Sequence, residues 1–295
     1  MGGVIKLPAY FKDHYYRSAD DRLDLYARIY GNADGVPILM MHGLTRNSAD
    51  FENIAKFLYP EFSLIIPEQR GRGRSEYDTD PANDRPEIYA ADMFALLESL
   101  AIQKIVLLGK SMGGLIAMLM AASQPDIAEA LILNDIGPEV EPAGLARLQQ
   151  YVGEPVQVNN WQDAADYCQK TNAIAFPDYG AEDWMAFAHR TFVVDDSAVP
   201  KLAYDMAISE GVQGDEPSAA PADLWPVWDS LSHFPILVIR GEKSDILSPA
   251  TLRKMKARHG GNLGVSEIPG RGHAPMLDEP EASAAILTFL RNYPK

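Results

Sequence analysis

Six consecutive residues, Gly109-Lys110-Ser111-Met112-Gly113-Gly114, set a hydroxyl among glycines in the pattern G-x-S-x-G, after an apolar run and before a helical one. In that setting the serine occupies a tight, strained turn that exposes its hydroxyl at the carboxyl end of a strand, above a helix N-terminus. The plainer alternative is a small-residue turn that only packs a helix on a strand. A serine hydroxyl becomes an effective nucleophile when a base takes its proton. The six histidines are His14, His42, His189, His233, His259 and His273. Only His273 stands in a loop of small residues, Gly270-Arg271-Gly272-His273-Ala274-Pro275, between a strand pattern and the last helix. The base needs an acid that fixes its tautomer and stabilises its charged form. Asp245, shortly after the strand pattern 236–239, is taken as that acid. Asp135, which ends an earlier strand, is its rival; its plain role would be to anchor the segment that follows.

An acyl-transfer site also needs donors for the developing oxyanion. The sequence His42-Gly43-Leu44-Thr45 leaves an early strand, and a turn there would aim the Leu44 N–H at the same point as the Met112 N–H. His42 is expected to brace that loop by hydrogen bonding. His259, ahead of Gly260-Gly261, is expected at a helix C-terminus, where partial negative charge favours an imidazolium.

These residues need a scaffold, and the periodicity supplies one. Apolar runs at 36–41, 62–66, 104–108 and 130–134 read as buried strands. Between them, Phe51, Ile54, Ala55 and Leu58, then Met93, Leu96, Leu97 and Leu100, recur at helical spacing. Residues 112–123 are apolar almost all round, the pattern of a buried helix. Strands alternating with helices imply a parallel sheet covered on both faces. Leu23, Leu25, Ala27 and Ile29 alternate after an Asp20-Asp21 turn, which suggests an antiparallel edge hairpin. The rhythm stops at Gly137-Pro138 and resumes at Pro235, with strands at 236–239 and 263–268 and helices at 251–259 and 279–291. The stretch between is helix-rich and aromatic, with no clear strand pairs and a proline-rich end at 217–226. The expected fold is therefore α/β: a mostly parallel, doubly wound sheet with an inserted helical cap. Residues 1–136 and 231–295 would form the core and 137–230 the cap, with most of its aromatic residues serving as the cap's own core.

Together these elements resemble an α/β-hydrolase with a lid, over nearly the whole chain. The family's His-Gly element appears as His42-Gly43, its nucleophile turn as Gly109-Lys110-Ser111-Met112-Gly113, its acid loop around Asp245 and its final Gly-His as Gly272-His273. Its D-x-R-G-x-G-x-S element appears as Glu68-Gln69-Arg70-Gly71-Arg72-Gly73-Arg74-Ser75, with Glu68 in place of the usual aspartate, a change expected to affect loop support. Lys110 stands where aromatic or polar residues are more common. It is expected to reach solvent, the alternative being an encounter with acid groups of a substrate. Arg70, Arg72 and Arg74 are expected to hold carboxylates and carbonyls of their own chain.

Composition narrows the function. The chain has 295 residues, 47% hydrophobic and 23% charged, with a net charge of −15, which disfavours nucleic acid and anionic membrane surfaces. A single cysteine, Cys168, excludes an internal disulfide. No apolar run approaches the roughly 20 residues of a membrane span. The first six residues lack a secretory pattern, so a cytoplasmic monomer or homodimer is expected. Without a phosphate loop or a metal-binding pattern, no cofactor and no metal are implied. The resemblance implies a serine hydrolase of small carboxylic esters working through an acyl-enzyme. The expected catalytic residues are Ser111, Asp245 and His273, with the Leu44 and Met112 N–H groups as oxyanion donors. Relatives that split carbon–carbon bonds of ring-fission products or open enol-lactones share this machinery, and a ligand receptor on the same fold is the reading from another class.

Overall fold

The computed structural model describes residues 10–31, 35–195, 198–211 and 223–293; the first six residues and the 217–222 part of the proline-rich stretch lie outside them. A hairpin opens the fold, β1 (Phe11–Arg17) and β2 (Asp24–Tyr30), paired antiparallel. Then follow β3 (Val36–Met41), α1 (Glu52–Leu58), β4 (Phe62–Glu68), α2 (Pro86–Ser99), β5 (Ile105–Lys110), α3 (Met112–Ser123) and β6 (Ala128–Asn134). After a long insertion the alternation returns with β9 (Ile236–Gly241), α8 (Pro249–Arg258), β10 (Leu263–Ile268) and α9 (Pro280–Asn292).

These strands form one eight-stranded sheet in the order β1-β2-β4-β3-β5-β6-β9-β10, parallel from β4 to β10, with the hairpin antiparallel at one edge. Successive residues of a strand point to opposite faces, and the central strands are apolar on both. Leu39, Met41, Leu107 and Leu133 pack towards α2 and α3, with Met93, Leu96 and Ile116. Ile38, Met40, Val106 and Ile132 pack towards α1 and α9, with Ile54, Leu58, Ile286 and Phe289. Each fully buried aliphatic side chain of this kind contributes about 1.5–3 kcal/mol. The two layers make the frame on which the loops at the carboxyl ends of the strands are hung.

The insertion contains α4 (Pro142–Gln149), α5 (Trp161–Asn172), α6 (Ala181–Thr191), β7 (Phe192–Val194), β8 (Pro200–Leu202) and α7 (Trp225–Ser230). Two features depart from the sequence reading. β7 and β8 pair as a short antiparallel ribbon. α7 packs in the main core beside α3, with Trp228 fully buried and its indole N–H donating to the Met255 carbonyl at 3.2 Å. The rest of the insertion has a core of its own. Ala164, Cys168, Phe176, Trp184, Phe187 and Phe192 gather there, joined by Met276 from the loop that carries His273. Backbone bonds stitch it to the loop after β4: the Gly73 N–H donates to Ala203 and the Asp205 N–H to Gly71, at 2.8 and 2.7 Å.

Candidate active site

Ser111 joins β5 to α3 with φ +53° and ψ −120°, the strained turn that the glycine pattern implies. The glycines are required by close approach. A Cβ on Gly109 would lie 2.2 Å from the Gly113 carbonyl oxygen, and one on Gly113 would lie 2.1 Å from that of Met41. The Ser111 N–H donates to the Asn134 carbonyl at 2.9 Å, tying the turn to the end of β6.

His273 stands in the loop between β10 and α9. Its Nε2 lies 2.8 Å from Ser111 Oγ and its Nδ1 lies 2.8 Å from Asp135 Oδ2. A carboxylate only accepts, so Nδ1 carries the proton and Nε2 is left to take that of the serine. The loop is pinned by the Asn134 side chain, which donates to the Pro275 carbonyl at 2.8 Å. Asp135 is fully buried and follows β6 directly, in a left-handed conformation (φ +61°) that aspartate tolerates. It also accepts from the Gly241 N–H at 2.8 Å and the Ser244 hydroxyl at 2.6 Å.

The residue on the histidine is thus Asp135 and not Asp245, a correction to the sequence reading. β6 lies beside β5, so the first residue past it lies close to Ser111, whereas the loop after β9 turns its Gly241 and Ser244, rather than Asp245, towards that point. Asp245 instead binds Arg147 of α4, at 2.5 Å to Nε and 3.0 Å to Nη2. Burial raises its carboxyl, but Arg147, with a smaller contribution from His273, holds it below the ordinary value. The sequence reading did not single out Arg147, Ser244 or Asn134; none stands in a motif, and only the tertiary structure gives them partners.

The loop after β3 lies beside this line. His42 is buried; its Nδ1 lies 2.8 Å from the Gly43 carbonyl and its Nε2 accepts from the Gln69 N–H at 3.1 Å. Both bonds are those of a neutral imidazole, and burial pushes its pKa down to about 3. Leu44 lines the cleft with Ser111, and its carbonyl accepts from Arg72 Nε at 2.9 Å. Met112 opens α3, so its N–H belongs to the first helical turn, whose donors have no partner within the helix. Glu68 accepts from the Ser48 hydroxyl and the Arg74 N–H, each at 2.6 Å, so it supports two loops.

Ser111 and His273 open onto a cleft with an empty volume of about 760 Å³, counted with its mouth. The insertion lines it with Tyr151, Tyr167, Cys168, Phe176, Phe187 and Tyr204, among others. Two lining residues are cations. Arg46 binds Asp50 through Nε at 2.9 Å and also through Nη2, while its Nη1 reaches the Thr191 hydroxyl at 2.6 Å. Lys110 Nζ lies 3.2 Å from Asp50 Oδ2. Lys110 is therefore buried rather than solvated as expected, because its strand ends beneath the insertion. Burial lowers its pKa against the pull of Asp50. Burial raises the Asp50 carboxyl, yet Arg46 and Lys110 hold it well below the usual range. His259 caps the C-terminus of α8 as expected, but burial lowers its pKa rather than favouring the imidazolium, outweighing the Phe234 carbonyl that lies 3.1 Å from Nε2. Among the described residues no group of three or more His, Cys, Asp or Glu could hold a metal ion, and no helix is long and apolar enough to cross a membrane.

Comparison with known proteins agrees with this architecture. A 3-hydroxybutyrate-oligomer hydrolase of Cupriavidus necator is 32% identical over 257 residues, covering 85% of this chain and 87% of its own. A 2-(acetamidomethylene)succinate hydrolase of Mesorhizobium japonicum is 29% identical over 94% of this chain and 95% of its own. The crystal structure of an alpha/beta hydrolase from Novosphingobium aromaticivorans superposes with a TM-score of 0.87 at 41% identity, covering 97% of this chain and 99% of that one. Residues 36–280 match the alpha/beta hydrolase fold, and the chain belongs to that family of hydrolases.

Proposed function

We propose that the protein is a serine hydrolase of small carboxylic esters. The observation that carries this is the unbroken line from Ser111 Oγ through His273 to Asp135, with 2.8 Å at each link, at the floor of a partly apolar cleft. In this reading Ser111 attacks the ester carbonyl while His273 takes its proton. Asp135 keeps the ring in the working tautomer and stabilises the imidazolium. The Leu44 and Met112 N–H groups receive the oxyanion, each such donor being worth roughly 3–4 kcal/mol in the transition state. His273 then protonates the departing alcohol and activates the water that frees the acid and Ser111. Of the cap expected over residues 137–230, the described elements α4, α5, α6 and β8 supply residues that line the cleft and act as its cover over the acyl group.

One relative's name supports an ester as the scissile group, while the Mesorhizobium relative is named for an acetamido compound. The Cupriavidus protein is named for oligomers of a hydroxy acid, whose units are joined by esters. The test is Ser111→Ala with p-nitrophenyl butyrate and a fluorophosphonate probe. Turnover should fall by roughly 10³-fold or more, and the probe should label Ser111 in the native protein and nothing in the variant. Unchanged turnover in a folded variant would refute the reading.

A further inference from the structure

The cleft contains a charge imbalance that the proposed chemistry does not use. Arg46 and Lys110 both line it, and both address a single carboxylate, Asp50, which is buried behind them. One cation is enough to pair with Asp50; the second is in surplus. The surrounding charges do not remove it. Arg72 is paired with Asp84 at 3.0 Å, and Glu279, whose field reaches Lys110, is bound at 3.1 Å by Arg271, whose other carboxylate partner, Asp178, is exposed to solvent. Arg190, whose field also reaches Asp50, adds to the positive side. In a chain of net charge −15 this surplus is local to the cleft.

The donors also have capacity to spare. A guanidinium has five N–H groups, and the partners of Arg46 engage three of them. Lys110 has three, with Asp50 on one and the Met276 sulfur, a weak acceptor, 3.1 Å away. Both cations stand beside the nucleophile. Lys110 precedes Ser111 in the chain, and the Cβ that Gly43 lacks would lie 3.6 Å from both Arg46 Cγ and Ser111 Cβ. A buried cation without a counter-ion is costly, and a guanidinium is suited to hold a carboxylate by paired hydrogen bonds.

From this geometry we propose that the substrate carries a free carboxylate in addition to its scissile ester, and that Arg46 and Lys110 hold it. The proposal rests on the ester-hydrolase reading and names the substrate class of that same site: half-esters of dicarboxylic acids, or acyl esters of hydroxy acids.

Two substrate pairs test it. Monomethyl succinate against dimethyl succinate places the charge on the acyl side; 3-acetoxybutanoate against its methyl ester, followed by acetate release, places it on the alcohol side. In at least one pair the charged member should be hydrolysed with kcat/KM tenfold or more above the neutral one. In Arg46→Gln and in Lys110→Met that ratio should fall towards one, whatever happens to neutral turnover. Independently of any variant, succinate should raise the Tm of the native protein and compete with p-nitrophenyl butyrate, while succinamide should do neither. Hydrolysis of the neutral esters through Ser111 with no preference for charge in either pair overturns the carboxylate site and leaves the hydrolase standing. If no ester is turned over and no probe labels Ser111, the hydrolase reading falls, and the succinate measurement alone then decides the carboxylate site.

Discussion

His273 is gripped at both ring nitrogens, and the two partners enforce different things. Ser111 needs an acceptor at Nε2, and Asp135 guarantees one by keeping the proton on Nδ1. Asp135→Asn would offer an amide where a carboxylate now stands and allow the opposite tautomer. Its kcat should fall on the order of 10⁴-fold. Asp245→Asn breaks a partly exposed pair with Arg147 and removes a charge that reaches His273 without bonding it, so its loss should stay within about fivefold. Rates of the two Asn variants, each checked by circular dichroism, decide between the two aspartates. The ambiguity in the sequence has a physical origin. Asp135 and Asp245 both follow strands, and both lie between the serine and the histidine in chain order. They differ in which strand adjoins β5 and in how the loop after β9 turns, and spacing along the chain encodes neither. Lys110 was misjudged for a related reason: its neighbours Asp50 and Met276 are far away in sequence.

Elements formed of regular, doubly buried pattern were legible. β3 and α3 begin and end where the apolar runs do, because a strand covered on both faces and a buried helix admit few polar residues. β7 and β8 were not legible; three residues are too few to show an alternation. Trp225 and Trp228 fall in the insertion by sequence because the strand–helix rhythm resumes only at Pro235, yet both pack in the main core of the sheet. The loop from β4 to α2 is held differently, by charge. Arg70 bonds Asp92 through Nε and Nη2, both at 2.8 Å, and Asp78 through Nη1 at 2.6 Å, with all three side chains almost fully buried. Arg72 adds Asp84 and two carbonyls, one of them Leu44. Removing Arg70 would leave the buried Asp92 without its cation, while Asp78 keeps Arg22 at 2.8 Å. Arg70→Met should therefore lower stability by roughly 3–5 kcal/mol, read as a shift of the urea midpoint. A midpoint within error of the native one would show that water reaches these carboxylates.

Across the whole molecule, the two layers of the sheet meet at loops whose interior is polar yet buried, and this makes stability depend on pH. His42 is neutral when folded, with a pKa near 3, and titrates near 6.5 when the chain unfolds. Between those values the unfolded chain binds the extra proton, so stability falls as the pH is lowered from about 6.5 towards 3. The contribution to the slope approaches about 1.4 kcal/mol per pH unit mid-window. His42→Asn should flatten the dependence of unfolding free energy on pH across that window, even if it starts from a lower value. An identical slope in the variant would place the acid sensitivity elsewhere.

One small contact limits how freely the parts of this protein can be exchanged. The Gly272 N–H, beside His273, donates at 2.8 Å to the carbonyl of Ala175 in the insertion, and a Cβ on Gly272 would lie 2.7 Å from Ala175 Cα. His273, the proposed base, is thus moored to the segment above it as well as to the sheet below. A chimera that borrows the insertion of another family member inherits that mooring only if its graft brings a backbone carbonyl, with a small residue behind it, to the same spot. Grafts should accordingly be chosen on the backbone path around residue 175 before any matching of the residues that face the substrate.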